Sequence, residues 1–416
     1  MIGSATLLRE PVCCAFTHWC VMRPTIFLAL VLVAVPAAIE ANPESIKRRI
    51  RAYELAYNLD YDEATREMEA AVKADPRDPG AERGLAVIPW LLISHTRGAA
   101  TVDEYLGSLS KENVALRAPP AALKTRFATH ADNALKLAEE LVKARPNDPA
   151  ALYELGAIVA LRAAYVATID GAVFSAIKSA RRAYQTNERV LELDASRKDA
   201  GLVVGTYQYV AASLPPHMRM LAWFGGISGG KTSALRLIEG AAASRTEASA
   251  DAKFALVLLY NREGRYDDAQ RTLSELRQSF RNNQLLWLEA GATALRAGRA
   301  ADAETYLNTG LKMSADDTRP RMFGEEALFL QKRGAARVTL TRTAEAEADL
   351  QRALTLESRK WVKGRVHAEL GKLADLRSER KTASSHFKQA EQLADEDNDA
   401  TGRHAAKRWI RKAYRP

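Results

Sequence analysis

Residues 256–307 read LVLLYNREGRYDDAQRTLSELRQSFRNNQLLWLEAGATALRAGRAADAETYL, and three pairs in this stretch share one spacing: Gly264 and Gly298, Ala269 and Ala303, Leu273 and Leu307, each 34 residues apart. A small residue followed one turn later by a large one is what two closely crossing helices require. Gly or Ala lets the backbones approach, and the large side chain fills the hole beside them. The stretch therefore reads as two successive helical hairpins. In the first, Leu256 and Tyr260 lie on the opening helix, Gly264 at the turn, and Ala269, Leu273 and Leu276 on the return helix. Trp287 and Gly291 open the second.

Working outward, the same signature recurs along the chain. Ala64, Met68, Ala71 and Pro76 carry it in DEATREMEAAVKADPRDP, and Ala134, Ala138, Leu141 and Pro146 in NALKLAEELVKARPNDP. Ala346, Leu350 and Ala353 give another instance, and Leu370, Gly371, Ala383, Phe387 and Ala390 the last. Pro76 and Pro146 end the return helices, because proline cannot continue a helix and disfavours helix in the residue before it. The pattern resembles the tetratricopeptide repeat, two antiparallel helices in about 34 residues. The resemblance implies an all-α solenoid of stacked helical hairpins, wound as a right-handed superhelix.

Composition agrees: hydrophobic residues make up 47% of the chain and aromatic residues only 7%, with Ala and Leu interleaved among Glu, Arg and Lys. That mixture favours helix. Residues 150–245 depart from the strict repeat length. Leu152, Leu155 and Gly156 open a helix that runs to about Ile169, its partner spans 173–193, and a further helix carrying Gly205, Tyr207 and Tyr209 stops before Pro215. Over residues 150–280 the chain resembles the tetratricopeptide repeat protein 39 family, helical proteins with a comparable glycine-broken turn between an apolar segment and a short helix. The expected organisation is an N-terminal extension over 1–41, a first repeat unit over 42–89, an irregular helical insertion over 90–130, long-helix units with a glycine-rich turn over 131–245, a C-terminal array over 246–398 and a basic tail over 399–416.

From Met22 the sequence MRPTIFLALVLVAVPAAIEANPES has a basic start, an apolar run over 26–35 and then small residues, which reads as a secretory signal with cleavage after Ala41 and translation from Met22. The apolar run falls short of the ~20 residues of a spanning helix, so an N-terminal membrane anchor is the alternative rather than the expectation. The expected location is outside the cytoplasm, in a bacterial periplasm or envelope. Cys13, Cys14 and Cys20 all precede Met22, which removes disulfides, cysteine-ligated zinc and a cysteine nucleophile from the predicted mature chain. Net charge is +9, and Arg403, Lys407, Arg408, Arg411, Lys412 and Arg415 of the tail account for six of it. Such a tail can touch an anionic membrane surface or lie as a solvated amphipathic helix. An exported chain predicts no nucleic-acid partner.

One window argues for an enzyme. FGGISGGKTS, residues 224–233, satisfies the phosphate-loop pattern from Gly225 through Gly230, Lys231 and Thr232, and spells G-x-S-x-G around Ser228. A phosphate loop needs a strand to deliver the turn and a helix dipole behind it. A helix follows in TSALRLIEGAAA, but PPHMRMLAWF upstream has a proline pair at a helix start and lacks the β-branched run of a buried strand. The expectation is a helix-to-helix turn, with His217 a solvated surface histidine. No catalytic residue, cofactor or metal is predicted.

In a solenoid of this kind the opening helices line the concave face. By repeat phase that face holds Arg49 and Tyr53 in the first unit, Tyr153 in the long-helix region, and Phe254, Leu258, Asn261, Leu285 and Leu288 in the C-terminal array. Such a groove is largely apolar and predicts a hydrophobic or helical ligand rather than an acidic peptide end. The alternative is a groove filled by the chain itself, for which residues 90–127 are long enough. The function expected is a non-enzymatic adaptor binding a protein or peptide, with a small hydrophobic ligand or lipid as the second reading.

Overall fold

The computed structural model describes residues 42–106, 117–214 and 230–415, apart from the side chains at 173 and 174. The signal segment, Gly225, Ser228 and His217 lie outside them. Every described residue belongs to one compact unit, Ala41–Pro416. Among the described residues the chain is all helix and turn, with no strand.

The helices pair in sequence order. Hairpins form from α1 (Pro43–Tyr57) and α2 (Tyr61–Ala74), then α3 (Pro79–Thr96) and α5 (Ala121–Ala144), with the single-turn α4 (Asp103–Leu106) between those two. Next come α6 (Pro149–Thr168) with α7 (Val173–Leu193), and α8 (Gly201–Ala212) with α9 (Lys231–Ala242). The C-terminal array pairs α10 (Ala248–Arg262) with α11 (Tyr266–Ser279), α12 (Leu285–Arg296) with α13 (Ala300–Asp316), α14 (Glu325–Thr339) with α15 (Thr343–Thr355), and α16 (Lys360–Leu376) with α17 (Arg380–Glu396). A last helix, α18 (Ala400–Arg411), packs on α17 and closes the end. The expected all-α tetratricopeptide-like solenoid is what is observed.

Local chemistry accounts for the boundaries. The DPRDP and RPNDP stretches behave alike: the return helix ends before the first proline, and the aspartate before the second caps the next opening helix. Asp78 accepts from Gly80 N at 2.8 Å and Asp148 from Ala150 N at 2.9 Å, with Pro79 and Pro149 at the first helical position. At each tight hairpin turn of the array, and in the first hairpin, one residue, two before the return helix, is left-handed. Gly264 (φ 69°) and Gly298 (φ 74°) occupy it without strain, whereas Leu59, Thr341 and Ser378 occupy it with a Cβ. Between the paired helices the glycines do their packing in one register. A Cβ on Gly291, Gly334 or Gly371 would lie 2.5, 2.7 or 2.6 Å from Leu307, Leu350 or Phe387, each sixteen residues further on.

Two expected borders fall inside helices. Residues 90–96 continue α3 although Pro89 lies within it, and 130–131 sits in the middle of α5. The stretch read as an irregular insertion is thus helical at both ends, and only residues 97–106, with the part of 107–120 that is described, form the connection. The long middle helices have the extents expected from the sequence.

The core is not a simple file of neighbours. One apolar cluster joins Tyr53, Tyr57, Met68 and Leu85 of the first three helices to Val257, Leu273, Phe280 and Leu286 of the array. The Tyr57 ring lies 5.3 Å from Phe254 and 5.2 Å from Phe280. Asn283 Nδ2 donates to Tyr57 O at 2.8 Å, and Asn282 N to Asn58 Oδ1 at 3.0 Å. Arg319 completes the seal, donating to Asn58 O and pairing with Asp60 at 3.1 Å. The first hairpin therefore stands on the array some two hundred residues away in sequence.

Candidate binding groove

The eight residues assigned to the groove do not line an open surface. Arg49 is buried, its guanidinium between Asp78 (2.8 Å) and Glu247 (2.7 Å). Tyr53 is buried and its hydroxyl accepts from Arg83 at 3.3 Å, while Tyr153 lies half-buried under the Arg197 guanidinium, 4.6 Å from its centroid. Phe254 and Leu258 are half-buried, packed against the apolar cluster that α1 to α3 share with the array. Asn261 is buried, donating to Val257 O at 2.8 Å and Thr293 Oγ1 at 3.1 Å and accepting from Arg296 at 2.7 Å. Leu285 and Leu288 are core residues. Leu288 is 0% exposed, in a cluster with Ala303, Leu307 and Phe329. The phase fails there for a physical reason: α12 is enclosed on nearly every side, so its apolar residues carry no single-face periodicity.

Filling by the chain, the alternative kept open for residues 90–127, is what the described part of that stretch does, and the expected apolar character is corrected: the inner strip it covers in the array is charged. After α3 the chain turns at Gly98 (φ 64°), where a Cβ would come within 2.5 Å of Phe323 O, so only glycine allows this approach. Residues 99–106 then cross the opening helices of the array. Arg262 of α10 donates to Tyr105 O at 2.7 Å, and Glu289 of α12 accepts from Val102 N at 2.8 Å. Asp103 receives Arg296 of α12 (3.2 Å), Lys332 of α14 and Arg365 of α16 (2.8 Å). Glu104 pairs at 2.7 Å with Arg359, which precedes α16. One cation per opening helix thus converges here, Arg296, Lys332 and Arg365 on Asp103 and Arg262 on the Tyr105 carbonyl.

The electrostatics follow from burial. Desolvation works against ionising Asp103, yet Lys332, Arg296 and Arg365 hold its carboxyl well below the usual carboxylate range. Burial lowers the Lys332 ammonium, opposed by Asp103 and reinforced by Arg365 and Arg296. Glu289 is pushed up by burial, with Arg296 opposing. At the start of the segment, burial and then the Arg319 charge push His95 down to about 4. Sequence reasoning missed Asp103, Glu104, Arg296, Lys332, Arg359 and Arg365. The signal available was limited to Arg262 and Arg296, which close successive opening helices one repeat apart; Lys332 lies in the middle of α14 and Arg365 in the first half of α16, so they share no such position.

The glycine-rich window has a structural use where it is described. Lys231 opens α9 and its Nζ lies 2.8 Å from Glu263 and 5.5 Å from the Tyr209 ring centroid; Tyr209 donates to the same Glu263 at 2.5 Å. Gly230 N donates to Ser233 Oγ at 2.9 Å, and Thr232 is exposed. The last described helix before this window is α8, and there is no strand among the described residues.

Two stretches match sequence profiles described as tetratricopeptide repeat, residues 51–113 and 260–323. Comparison with curated proteins finds no match. Among solved structures the chain is similar to yeast Tom70, at 12% identity over 89% of this chain and 97% of that one with a TM-score of 0.38. It is also similar to Pseudomonas aeruginosa pilF, at 15% identity over 62% and 96% with a TM-score of 0.38. A human IFIT1 dimer solved with PPP-AAAA gives 11% identity over 90% and 86% and a TM-score of 0.42. Identities this low carry no function across.

Proposed function

We propose that this tetratricopeptide-repeat protein is a non-catalytic scaffold acting outside the cytoplasm, as an adaptor or assembly factor in a bacterial envelope, and that its partner is a protein. One observation carries the reading: the opening helices of the array already hold polypeptide, residues 99–106, through main-chain hydrogen bonds to Arg262 and Glu289 and through carboxylates set among cations. Repeat arrays use this geometry because stacked opening helices offer a continuous row of side chains to an extended chain. Export rests on the sequence from Met22 to Ala41. A lipid or other small apolar ligand would need space around Phe254 and Leu258 that Tyr57 and α3 fill. The likeness of residues 150–280 to the tetratricopeptide repeat protein 39 family adds no role.

The test is crosslinking of the C-terminally tagged chain in its native cells, followed by fractionation, stringent purification, mass spectrometry and N-terminal sequencing. A stoichiometric protein partner and a mature N-terminus after Ala41 are expected. Recovery of the chain alone, or with lipid only, would overturn the adaptor reading, and a cytoplasmic chain beginning at Met1 or Met22 would overturn export.

A further inference from the structure

Three features of the concave strip are more than a segment pinned in place would require. The first is the charge arithmetic of its cations. Arg359 has a second carboxylate in Asp397 (2.5 Å), Arg365 has Asp399 (2.9 Å), and Arg296 has the Asn261 amide oxygen (2.7 Å). Lys332 pairs with Asp103. A segment that replaced residues 99–106 without bringing a carboxylate would leave that ammonium, whose side chain is 6% exposed beneath them, covered and without its ion-pair partner, a costly state for a buried charge. The strip thus tolerates exchange of one carboxylate for another but not its loss.

The second feature is the imperfect fit of the present occupant. Glu289, which takes the Val102 N–H on one oxygen, has its other oxygen unpartnered, and Thr101 Oγ1, Gln331 Oε1 and Trp361 Nε1 are buried without partners too. Buried polar atoms are normally satisfied, and each orphan is costly because it has given up water without a replacement. The array side of this contact thus has an acceptor, the second Glu289 oxygen, that its present occupant leaves unused. The third feature is location: the occupant is a connection between two helices, lying on other hairpins rather than within its own, with Val102 and Leu106 in the apolar cluster of Val257 and Leu286 and its carboxylates and main chain held by polar contacts.

We propose that residues 97–106 are an internal stand-in for the partner, and that the strip of Arg262, Arg296, Lys332, Arg359 and Arg365 takes in exchange an extended partner segment carrying adjacent carboxylates. This deepens the scaffold reading and rests on it. The array is then closed to weak ligands and opens only to a chain that supplies a carboxylate to Lys332 as Asp103 leaves. Uncharged or basic peptides are refused because they would strand that ammonium.

The probe is a labelled decapeptide, RGAATVDEYL, the sequence of residues 97–106, with a neutral version in which Asp103→Asn and Glu104→Gln are made. Binding is read by fluorescence anisotropy on the full chain and on its Asp103→Asn/Glu104→Gln variant, with folding followed by circular dichroism. The variant is expected to bind the acidic peptide at least about tenfold more tightly than the wild type does, to ignore the neutral one, and to lose about tenfold when Lys332→Met is added. A folded variant that binds neither peptide, or both equally, overturns the proposal. If the variant does not fold, hydrogen exchange on the wild-type chain decides. Amides of residues 102–106 are expected to exchange at least about tenfold faster than those of α12 and α14, and exchange at one common rate overturns the proposal. A cellular partner captured equally by wild type and variant would sink this inference and spare the scaffold reading; peptide binding with no cellular partner would do the reverse.

Discussion

The seams within hairpins and the strip across them are both buried, yet they are built from opposite materials. In a seam such as that of α16 and α17, Gly371 receives the Phe387 ring so closely that a Cβ would sit 2.6 Å from it, and the ring is 0% exposed. In the strip, Asp103 and Glu104 meet Arg296, Lys332, Arg359 and Arg365, and polar atoms are left over. A seam is specified by shape, and shape has one solution at native packing density. The strip is specified by charge, and a carboxylate from elsewhere satisfies the same cations. The solenoid is therefore rigid along its hairpins and replaceable along its concave line.

The contrast can be broken by experiment, starting with the seam. Phe387→Ala is expected to cost about 4 kcal/mol in urea unfolding, through lost burial and the cavity left against Gly371. A loss under about 1 kcal/mol would mean the seam is not the source of rigidity. Asp103→Asn comes next, at about 3 kcal/mol, because it leaves Lys332 buried beside Arg296 and Arg365 without the carboxylate. The sharper measurement adds Lys332→Met. Removing both partners is expected to restore much of the loss, whereas additive losses would show the strip to be as shape-bound as the seam.

Acid probes where the strip begins. His95 is held neutral, its pKa lowered from 6.5 to about 4, so the unfolded chain takes up the proton first as pH falls. Its stabilisation is complete above 6.5 and drains away between 6.5 and 4, by about 2 kcal/mol at pH 5. Comparing the pH 7 to pH 5 loss in the wild type and in His95→Gln isolates that share, and equal losses would remove His95 from the account. The smallest effect belongs to a hairpin turn. Thr341 is β-branched at φ 58°, so Thr341→Gly is expected to gain about 1 kcal/mol in thermal unfolding, where a loss would show the hydroxyl or methyl to matter more than the strain.

The seams were legible because small and large residues at one fixed spacing answer to a single physical demand, the close crossing of two helices, and the helix extents around Gly156 and Gly205 followed from the same reasoning. Some repeats were harder to see, since Leu59, Thr341 and Ser378 stand where Gly264 and Gly298 advertise the turn. The groove was misread for two reasons. Leu285 and Leu288 lie on a helix covered all round, where apolar periodicity has no phase to report. Asp103 and Lys332 are 229 residues apart, and nothing local in either neighbourhood marks them as a pair. Solvated surface charges and buried complementary ones look the same until the chain is folded.

The docking of the first hairpin on the array also sets the order in which the molecule can be completed. In a plain repeat file each hairpin finishes its burial when the next one is made, and folding can follow synthesis. Here Tyr57 waits for Phe254 and Phe280, Asn58 waits for Asn282, and Asp103 waits for Arg365. A chain halted before residue 247 would show its Tyr53 and Tyr57 face to solvent. Such distant closures raise contact order, slow the final step and tie the two ends of the solenoid into one cooperative transition.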